Sequence, residues 1–590
     1  MWRLPARAPR RANLFLAVFI LLAAGCARPR VELIPRSVLF GNPDRVKPRL
    51  SPDGRKVAYL APLDGVQNIW IRTVGEEDDH PITEDQGRGI YSLVWAYDNR
   101  HVAFIQDRDA DENWRLYSVD VTTGEIRSFF PKSDVRGPMQ TRLLYRCPCH
   151  PEEVMVGVNN RDPSVFDIYR VNLNTGETTL IQRGIKDAVI WLFDSKMDLR
   201  GALRAEDDAG QTLLLRDGPR GPFREEIRWG LIDDISWQEG FTPDGKGLYL
   251  RDSRGRNTSA LVRYDLKTKQ IELLAEDPVA DVSKVYLHPG TGRAQFVTFL
   301  KDRLEYKVLD PAVEGDLRRI RASGEGDAWI IDRTPDTRYW LIAYESDTKP
   351  VRYAVYDSAD SSVTTLFVQR EALVGRPLAP MQPVQIQSRD GFTLYSYLTR
   401  PIGRKKAGPL VILAHGGGLK RDIWGYNPEA QWLANRGYAC LQVNYRGTYG
   451  FGKKFMNAGN RELGRKVLND FSDAARWAVE EGIADPDRIA IYGGSLGGYF
   501  ALACATFTPD QYRAAISAAG LVDLVSYVAN VPPIWRAYLT TLDARIGRYP
   551  RYESGPRTGE PKDEADWTAQ DSADVEFLRA QSPYYHADKV

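Results

Sequence analysis

A serine set between glycines is the clearest chemical feature of this 590-residue sequence. Residues 493–497 read Gly-Gly-Ser-Leu-Gly, which is the G-x-S-x-G spacing, and an apolar run at 489–492 precedes them. Glycines are needed on both sides because a side chain there would clash in a tight turn between a strand and a helix. Such a turn exposes the hydroxyl, so we predict that Ser495 is a catalytic nucleophile.

A second glycine motif lies 80 residues before the serine. His415 opens the sequence His-Gly-Gly-Gly directly after the apolar run 410–413. Loops of this type supply one backbone N–H to an oxyanion hole, and the residue after the nucleophile supplies another. We therefore predict an oxyanion hole formed by Leu496 together with Gly416 or Gly417.

Alternating strands and helices must position both motifs. After a predicted hairpin at residues 384–398, apolar strands alternate with segments of helical spacing. The strands are predicted at 410–413, 439–443, 489–492 and 514–517, and the helices at 429–436 and 470–481. This alternation is typical of a parallel, doubly wound sheet. We predict an α/β-hydrolase domain at residues 380–590.

A different pattern fills the chain before this domain. A turn of the type x-Pro-Asp-Gly, followed by apolar strands, recurs seven times, with markers at residues 52, 97, 151, 195, 243, 289 and 335. Successive markers are 44 to 54 residues apart, and that period belongs to β-propellers. We predict a propeller at residues 40–375, with seven blades of which the fourth and sixth are degenerate.

Composition excludes several classes of partner. The 79 Lys and Arg residues nearly balance the 78 Asp and Glu residues, so nothing in the overall charge indicates a nucleic-acid partner. No metal or nucleotide motif is present, and no cofactor is predicted. Cys147 and Cys149 are interpreted as blade cysteines, and Cys440 and Cys504 as small buried apolar residues, so no disulfide framework is expected.

The N-terminus resembles an export signal. Arginines precede an apolar stretch at residues 14–24, which then leads to Gly25 and Cys26. We predict a signal peptide at residues 1–26 of the lipoprotein type, with Cys26 lipidated. The usual leucine lies at −4 relative to this cysteine, so an ordinary cleaved signal and an uncleaved anchor stay as alternatives. The protein is expected in the periplasm or bacterial envelope, with membrane contact only through the lipid anchor.

The motifs of the C-terminal domain occur in an order that resembles the prolyl oligopeptidase family, most closely its acylaminoacyl-peptidase-like branch. They stand at residues 415–417, 435–438, 444–452, 484–488, 492–499, 582–583 and 587–589. The resemblance implies a serine peptidase that acts on short peptides, with the propeller over the active site. Ser495 would attack the scissile carbonyl. Prolyl oligopeptidases proper carry a tyrosine where this chain has His415. His415 is therefore expected to shape its loop and not to act as the base.

The resemblance does not extend to a complete catalytic triad. A triad needs a base beside the serine and a carboxylate that orients the base. His586 is the single histidine after Ser495, and in the family its position precedes the strands that lead to the triad Asp and His. We therefore expect a domain without its last strands and an inactive chain. We interpret this as a C-terminally incomplete sequence rather than a protein that evolved without catalysis.

Substrate preference is predicted only in outline. Trp535 and Tyr499 are candidates for the substrate pocket, and Trp535 would favour apolar or aromatic side chains. Simple packing is the alternative role for Trp535. Two other functions stay open: a carboxylesterase, because the same elbow and oxyanion hole serve esters, and a non-catalytic propeller that binds a partner. The sequence predicts neither the oligomeric state nor a choice between exopeptidase and endopeptidase.

Overall fold

The structure is a computed structural model that describes residues 32–130, 139–417, 420–551 and 561–590. Cys26 and the predicted signal peptide lie outside the described residues. Seven antiparallel sheets lie between Val46 and Val368, and a mixed sheet begins at Met381. This confirms the predicted fold class, a seven-bladed propeller followed by an α/β-hydrolase domain. Along the described residues, no helix is both long and apolar enough to cross a membrane.

The blades follow one another along the chain. The first blade contains β1–β4, at Val46–Leu50, Lys56–Leu63, Val66–Thr73 and His80–Pro81. The second contains β5–β8, at Ser92–Trp95, His101–Gln106, Arg115–Asp120 and Ile126–Ser128. The third contains β9–β12, at Thr141–Tyr145, Glu153–Asp162, Val165–Asn172 and Thr178–Gln182. The fourth contains β13–β16, at Ala188–Phe193, Leu199–Ala205, Gln211–Leu215 and Arg224–Trp229.

The remaining blades complete the ring. The fifth contains β17–β20, at Trp237–Phe241, Gly247–Asp252, Ala260–Asp265 and Ile271–Ala275. The sixth contains β21–β23, at Val282–Leu287, Ala294–Leu300 and Leu304–Val308. The seventh contains β24–β27, at Asp327–Arg333, Tyr339–Glu345, Arg352–Asp357 and Ser362–Val368. The sixth blade is thus one strand short, whereas the fourth has four strands despite its weak sequence signal.

Apolar side chains join every blade to the next. Each of seven buried clusters draws its residues from two adjacent blades, and one of them joins the seventh blade to the first. At that seam Val57 and Tyr59 pack against Leu341 and Val355. Among the described residues no strand pairs across the seam, so burial of apolar area, with a hydrogen bond from Arg72 Nη1 to the Leu366 carbonyl at 3.0 Å, holds the ring closed.

The hydrolase domain is built on a six-stranded sheet. Its strands are β28–β33, at Met381–Gln387, Thr393–Thr399, Gly408–Ala414, Ala439–Val443, Ala484–Gly494 and Ala514–Ala518. Their order is β28-β29-β31-β30-β32-β33, and the last four in this order run parallel. Among the described residues, β28 and β33 are the edge strands, and Ile516 of β33 is 54% exposed.

Helices pack on both domains. They are α1–α9, at Arg36–Phe40, Glu314–Ala322, Pro428–Asn435, Gly452–Asn457, Lys466–Glu480, Leu496–Phe507, Leu524–Ala529, Leu539–Arg545 and Ala569–Arg579. Helix α5 buries Val467, Phe471, Ala474 and Ala478, whose spacing of three and four residues forms one apolar face. Helix α3 begins at Pro428, and the Asn427 side chain caps it by accepting a hydrogen bond from the Ala430 N–H.

The segment before the first blade belongs with the hydrolase domain. The Ile34 N–H donates to the Asn435 side chain at 2.8 Å, and Leu39 is buried against Leu373 and Leu378. Both ends of the propeller are therefore fixed to the hydrolase domain.

Polar contacts also fasten the two domains together. Lys453 forms an ion pair with Asp233 at 2.7 Å. Arg421, in the loop after the glycine motif, donates from Nη1 to the Leu300 carbonyl at 2.8 Å.

One expectation about cysteine is wrong. Cys147 and Cys149 form a disulfide in the turn between β9 and β10, whereas no disulfide was expected. The pairing is local, so it closes a short turn and links no separate elements. Cys440 and Cys504 are free and buried, as predicted.

Candidate active site

Ser495 lies at a sharp turn between β32 and α6. Its backbone has φ 56° and ψ −122°, a combination that residues other than glycine rarely adopt. The Ser495 N–H donates to the Ala518 carbonyl at 3.0 Å, which ties the turn to the neighbouring strand β33. The residue is exposed. The strained turn therefore presents the hydroxyl at the end of the sheet that faces the loops.

The glycines of the motif have a direct steric reason. A Cβ at Gly493 would lie 2.7 Å from the Ala414 carbonyl oxygen, and one at Gly497 would overlap that oxygen. A Cβ at Gly498 would lie 2.7 Å from the Gly520 Cα. The elbow can therefore pack between β30 and β33 only when these positions have no side chain.

The loop after β30 lies against the elbow. A Cβ built on Gly416 would be 3.6 Å from the Ser495 Cβ, and one built on Gly417 would be 3.1 Å from the Leu496 Cβ. The two predicted oxyanion-hole segments thus lie side by side, with no room for a side chain at Gly417. This is the arrangement in which N–H groups of the two segments can converge on one oxygen atom.

His415 holds this loop in place. Its Nδ1 lies 2.8 Å from the Gly416 carbonyl oxygen, and its Nε2 lies 2.9 Å from the Thr448 hydroxyl. The ring stacks on Tyr445 with centroids 4.4 Å apart. Desolvation by burial lowers the pKa of His415 to about 4, so the ring is neutral near pH 7. Both ring nitrogens are occupied, which fits a positioning residue and not a base.

The contact between His415 and the Gly416 carbonyl fixes the orientation of the Gly416–Gly417 peptide group. When neutral His415 donates from Nδ1 to this carbonyl, the Gly416–Gly417 peptide plane can no longer rotate freely. In a trans peptide the N–H points opposite to the C=O, so the Gly417 N–H is directed away from the imidazole. His415 therefore determines the direction of one candidate oxyanion donor.

Among the described residues, no histidine side chain forms a hydrogen bond with Ser495. All six histidines are among the described residues, and His80, His101, His150 and His288 belong to the propeller. His586 packs on Phe507, the last residue of α6, with ring centroids 5.3 Å apart. A helix rises about 1.5 Å per residue, so the full length of α6, roughly 18 Å, separates His586 from the elbow.

A cavity of about 750 Å³ lies beside the elbow. It begins at Gly520, which contacts Gly498 of α6, and Trp535 lines it. Trp535 is 44% exposed, so its indole is accessible to a ligand in the cavity. The role of Trp535 in a substrate pocket stays a prediction.

Tyr499 does not line this cavity. Its side chain is fully buried in the hydrolase core, and its hydroxyl donates to the Gln581 carbonyl at 2.7 Å. The expectation that Tyr499 contributes to the substrate pocket is corrected accordingly. Its position on the inner face of α6 is set by the packing of that helix in the hydrolase core.

Arg142 is a candidate site residue that carries no sequence signal. It lies on β9, the first strand of the third blade, and its guanidinium is 4.0 Å from the Phe166 ring centroid. Across the described residues its guanidinium has no ion pair and no hydrogen bond. Its electrostatic surroundings include Tyr538, at the end of the same short helix as Trp535. Arg142 is therefore a partly buried cation of the propeller near the hydrolase domain.

Known proteins resemble this chain over most of its length. The sequence model described as the prolyl oligopeptidase family matches residues 424–549. The dipeptidyl aminopeptidase BIII of Pseudoxanthomonas mexicana is 40% identical over 556 residues, which cover 91% of this chain and 79% of that protein. The dipeptidyl peptidase family member 6 of Caenorhabditis elegans is 28% identical over 596 residues, covering 95% and 78%.

A solved structure shares the architecture. The puromycin-hydrolysing peptidase of Mycobacterium tuberculosis superposes with a TM-score of 0.70 at 18% identity, over 95% of this chain and 86% of that protein. At this identity the likeness supports the fold alone. The 40% identity to a relative covered over 79% of its length establishes common descent. The chain belongs to the prolyl oligopeptidase family of serine peptidases.

Proposed function

We propose that this protein is built to release dipeptides from the amino terminus of short peptides. The observation that carries the proposal is the exposed, strained Ser495 beside the Gly416–Gly417 backbone. The identity of 40% to a dipeptidyl aminopeptidase supports the choice of reaction. The propeller, fastened over the hydrolase domain, would restrict access to short chains.

The chemistry follows from the positions of these groups. The Ser495 hydroxyl oxygen attacks the scissile carbonyl carbon, and the carbonyl oxygen gains negative charge. The N–H groups of Leu496 and Gly417 stabilise that charge, and removal of one such donor typically costs about 100- to 1000-fold in kcat. Trp535 would contact the substrate side chain within the cavity.

We further propose that these 590 residues do not turn over substrate by themselves. The proton of the Ser495 hydroxyl needs an acceptor within hydrogen-bond reach. His415 is committed to its loop, and His586 lies at the far end of α6. The proposed nucleophile and oxyanion hole would then lack a base, and activity should depend on one supplied from outside.

Imidazole rescue of serine labelling tests both proposals. The purified chain is incubated with a fluorophosphonate probe, with and without about 100 mM imidazole, which serves as an external general base. The labelled residue is then located by mass spectrometry. We expect slow labelling at Ser495 alone, at least tenfold acceleration by imidazole, and none in Ser495→Ala. Ser526→Ala, which alters a serine of the neighbouring cavity, is the matched control.

The outcomes separate the candidate functions. Fast labelling without imidazole would refute the missing base. Absence of labelling at any imidazole concentration would favour a non-catalytic binding protein. Rescued hydrolysis of a p-nitrophenyl ester but not of a dipeptidyl p-nitroanilide would favour the esterase.

For the N-terminus we propose export and lipidation at Cys26. The basic residues, the apolar stretch and the small residues before the cysteine support this. Radiolabelled fatty acid should enter the protein in a bacterial host and should be absent from Cys26→Ser. A labelled Cys26→Ser protein, or an unlabelled wild type that is nevertheless exported, would contradict lipidation.

A further inference from the structure

A second cavity lies between the seventh blade and the hydrolase domain. Its volume is about 500 Å³, and it shares no lining residue with the cavity beside the elbow. Trp329, Glu345 and Tyr353 line it from the blade, and Tyr426 lines it from the loop before α3. Small-molecule sites are commonly concave, largely apolar and equipped with a few polar groups. This cavity has that composition.

Glu345 is the unusual group in this cavity. Its carboxylate has no cationic partner within the described part of the chain. The nearby Asp327 is already paired with Arg303 at 2.7 Å, so Asp327 adds only like charge. Burial, together with Asp327, raises the pKa of Glu345 to about 7. A carboxylate held in this way is stabilised by any cation that enters the cavity.

The hydrolase loop approaches the carboxylate closely. A Cβ at Gly425 would lie 2.5 Å from the Glu345 Oε1, so only glycine allows this approach. One residue later, the Tyr426 hydroxyl is buried without a hydrogen-bond partner among the residues described. A buried hydroxyl in this state costs free energy that a ligand atom could recover. The Trp329 and Tyr353 rings add aromatic faces, which attract ammonium groups.

Arg370 gives the cavity a charge of the opposite sign. Its guanidinium donates to the Val38 carbonyl at 3.3 Å, and the residue also lines the cavity. A simple cation would be attracted by Glu345 and repelled by Arg370. A zwitterion can place its ammonium group toward Glu345 and its carboxylate toward Arg370. The pair of charges therefore favours a small zwitterion.

We propose that this cavity is a second binding site, for a free dipeptide. The ammonium group would bind Glu345 between the aromatic rings, the carboxylate would face Arg370, and the Tyr426 hydroxyl would bond to the peptide group. The choice of a dipeptide among zwitterions rests on the proposed function, which would produce dipeptides. The site itself rests on the geometry of the cavity.

Calorimetric titration of the full chain with Ala-Phe tests the proposal. We expect saturable binding that weakens at least tenfold in Glu345→Gln and severalfold in Tyr426→Phe. N-acetyl-Ala-Phe, which lacks the ammonium group, and Ala-Phe-amide, which lacks the carboxylate, should each bind at least tenfold more weakly. Glu325→Gln, at an exposed position of the same region, is the matched control and should bind as wild type does. Circular dichroism and thermal melting confirm that each variant is folded.

A Trp535→Ala variant distinguishes the two cavities. If Ala-Phe binding is lost in Trp535→Ala and retained in folded Glu345→Gln, the dipeptide occupies the cavity beside the elbow and the second site is refuted. Unchanged binding in Glu345→Gln, or no binding of Ala-Phe at millimolar concentration, refutes it as well. Ser495 labelling is measured separately, so failure of the proposed reaction and failure of this site are distinguishable.

Discussion

Replacing Arg446 with methionine removes the centre of a buried ion-pair network in the hydrolase domain. Arg446 Nη2 lies 2.6 Å from Asp470 Oδ1, and Nη1 lies 2.6 Å from Asp390 Oδ2. Methionine fills a similar volume without charge, so the change isolates electrostatics from packing. The network also fixes the chain two residues before Thr448, which binds His415.

The size of the effect follows from the exposure of each partner. The Asp470 side chain is 0% exposed and the Asp390 side chain is 40% exposed. Asp390 can be hydrated after the change, whereas Asp470 is left as a buried, unpaired carboxylate. Breaking a buried pair costs about 3–5 kcal/mol, and breaking an exposed pair costs about 1 kcal/mol or less. We expect Arg446→Met to fall in the first class and Asp390→Asn in the second.

Thermal and urea unfolding of the hydrolase transition measure the difference. For a domain of this size, about 3–5 kcal/mol corresponds to a fall in Tm of roughly 6–20 °C. Burial already raises the pKa of Asp470, and loss of Arg446 would raise it further. The folded state would then bind a proton that the unfolded state does not, so the penalty in Arg446→Met should shrink as the pH is lowered.

A double variant provides the critical comparison. In Arg446→Met with Asp470→Asn, the buried negative charge is gone, and at least half of the lost stability should return. The reasoning is refuted if Arg446→Met costs no more than Asp390→Asn, or if the double variant is as unstable as the sum of its parts.

Three further predictions concern the elbow and its support. Gly497→Ala should abolish Ser495 labelling and lower the Tm, because the new Cβ would overlap the Ala414 carbonyl; normal labelling would contradict the packing described. The pKa of His415 is about 4 in the folded state, which is below its unfolded value. Its contribution to the free energy of unfolding is therefore complete above about pH 6.5 and falls by about 2 kcal/mol toward pH 5. In His415→Gln, the free energy of unfolding measured with urea should depend less on pH over that range. Tyr499→Phe should cost about 1–3 kcal/mol in urea unfolding, because a buried carbonyl loses its donor, and should leave ligand binding unchanged.

Local features of the site were predictable from the sequence. Ser495, Leu496 and Gly497 are adjacent in the chain, and the steric demands of the turn determine which residue types fit. The contact with Gly416 was also predictable, because parallel strands bring their carboxyl ends to one edge of a sheet. The number of blades could be predicted from the period of the turns. The sequence did not show, however, that the fourth blade has all four strands whereas the sixth has three.

Features that depend on distant contacts could not be predicted. Tyr499 has an amphipathic side chain on a helix that is buried nearly all round, so its type gives no indication of its direction. Arg142 lies 396 residues before Tyr538 (538 − 142), and no local pattern marks their proximity. The role of His415 required the positions of Gly416 and Thr448, which lie on different loops.

The contact between Ile34 and Asn435 determines the order in which the protein can be assembled. The two residues are 401 positions apart, and at about 5–20 residues per second the ribosome needs roughly 20–80 s to synthesise the intervening chain. During that time all seven blades emerge, each from contiguous residues, while the segment 32–41 lacks its partner Asn435. The propeller can therefore fold before the catalytic domain, and a chain that lacks residues 32–41 should retain a folded propeller while exposing Leu373 and Leu378.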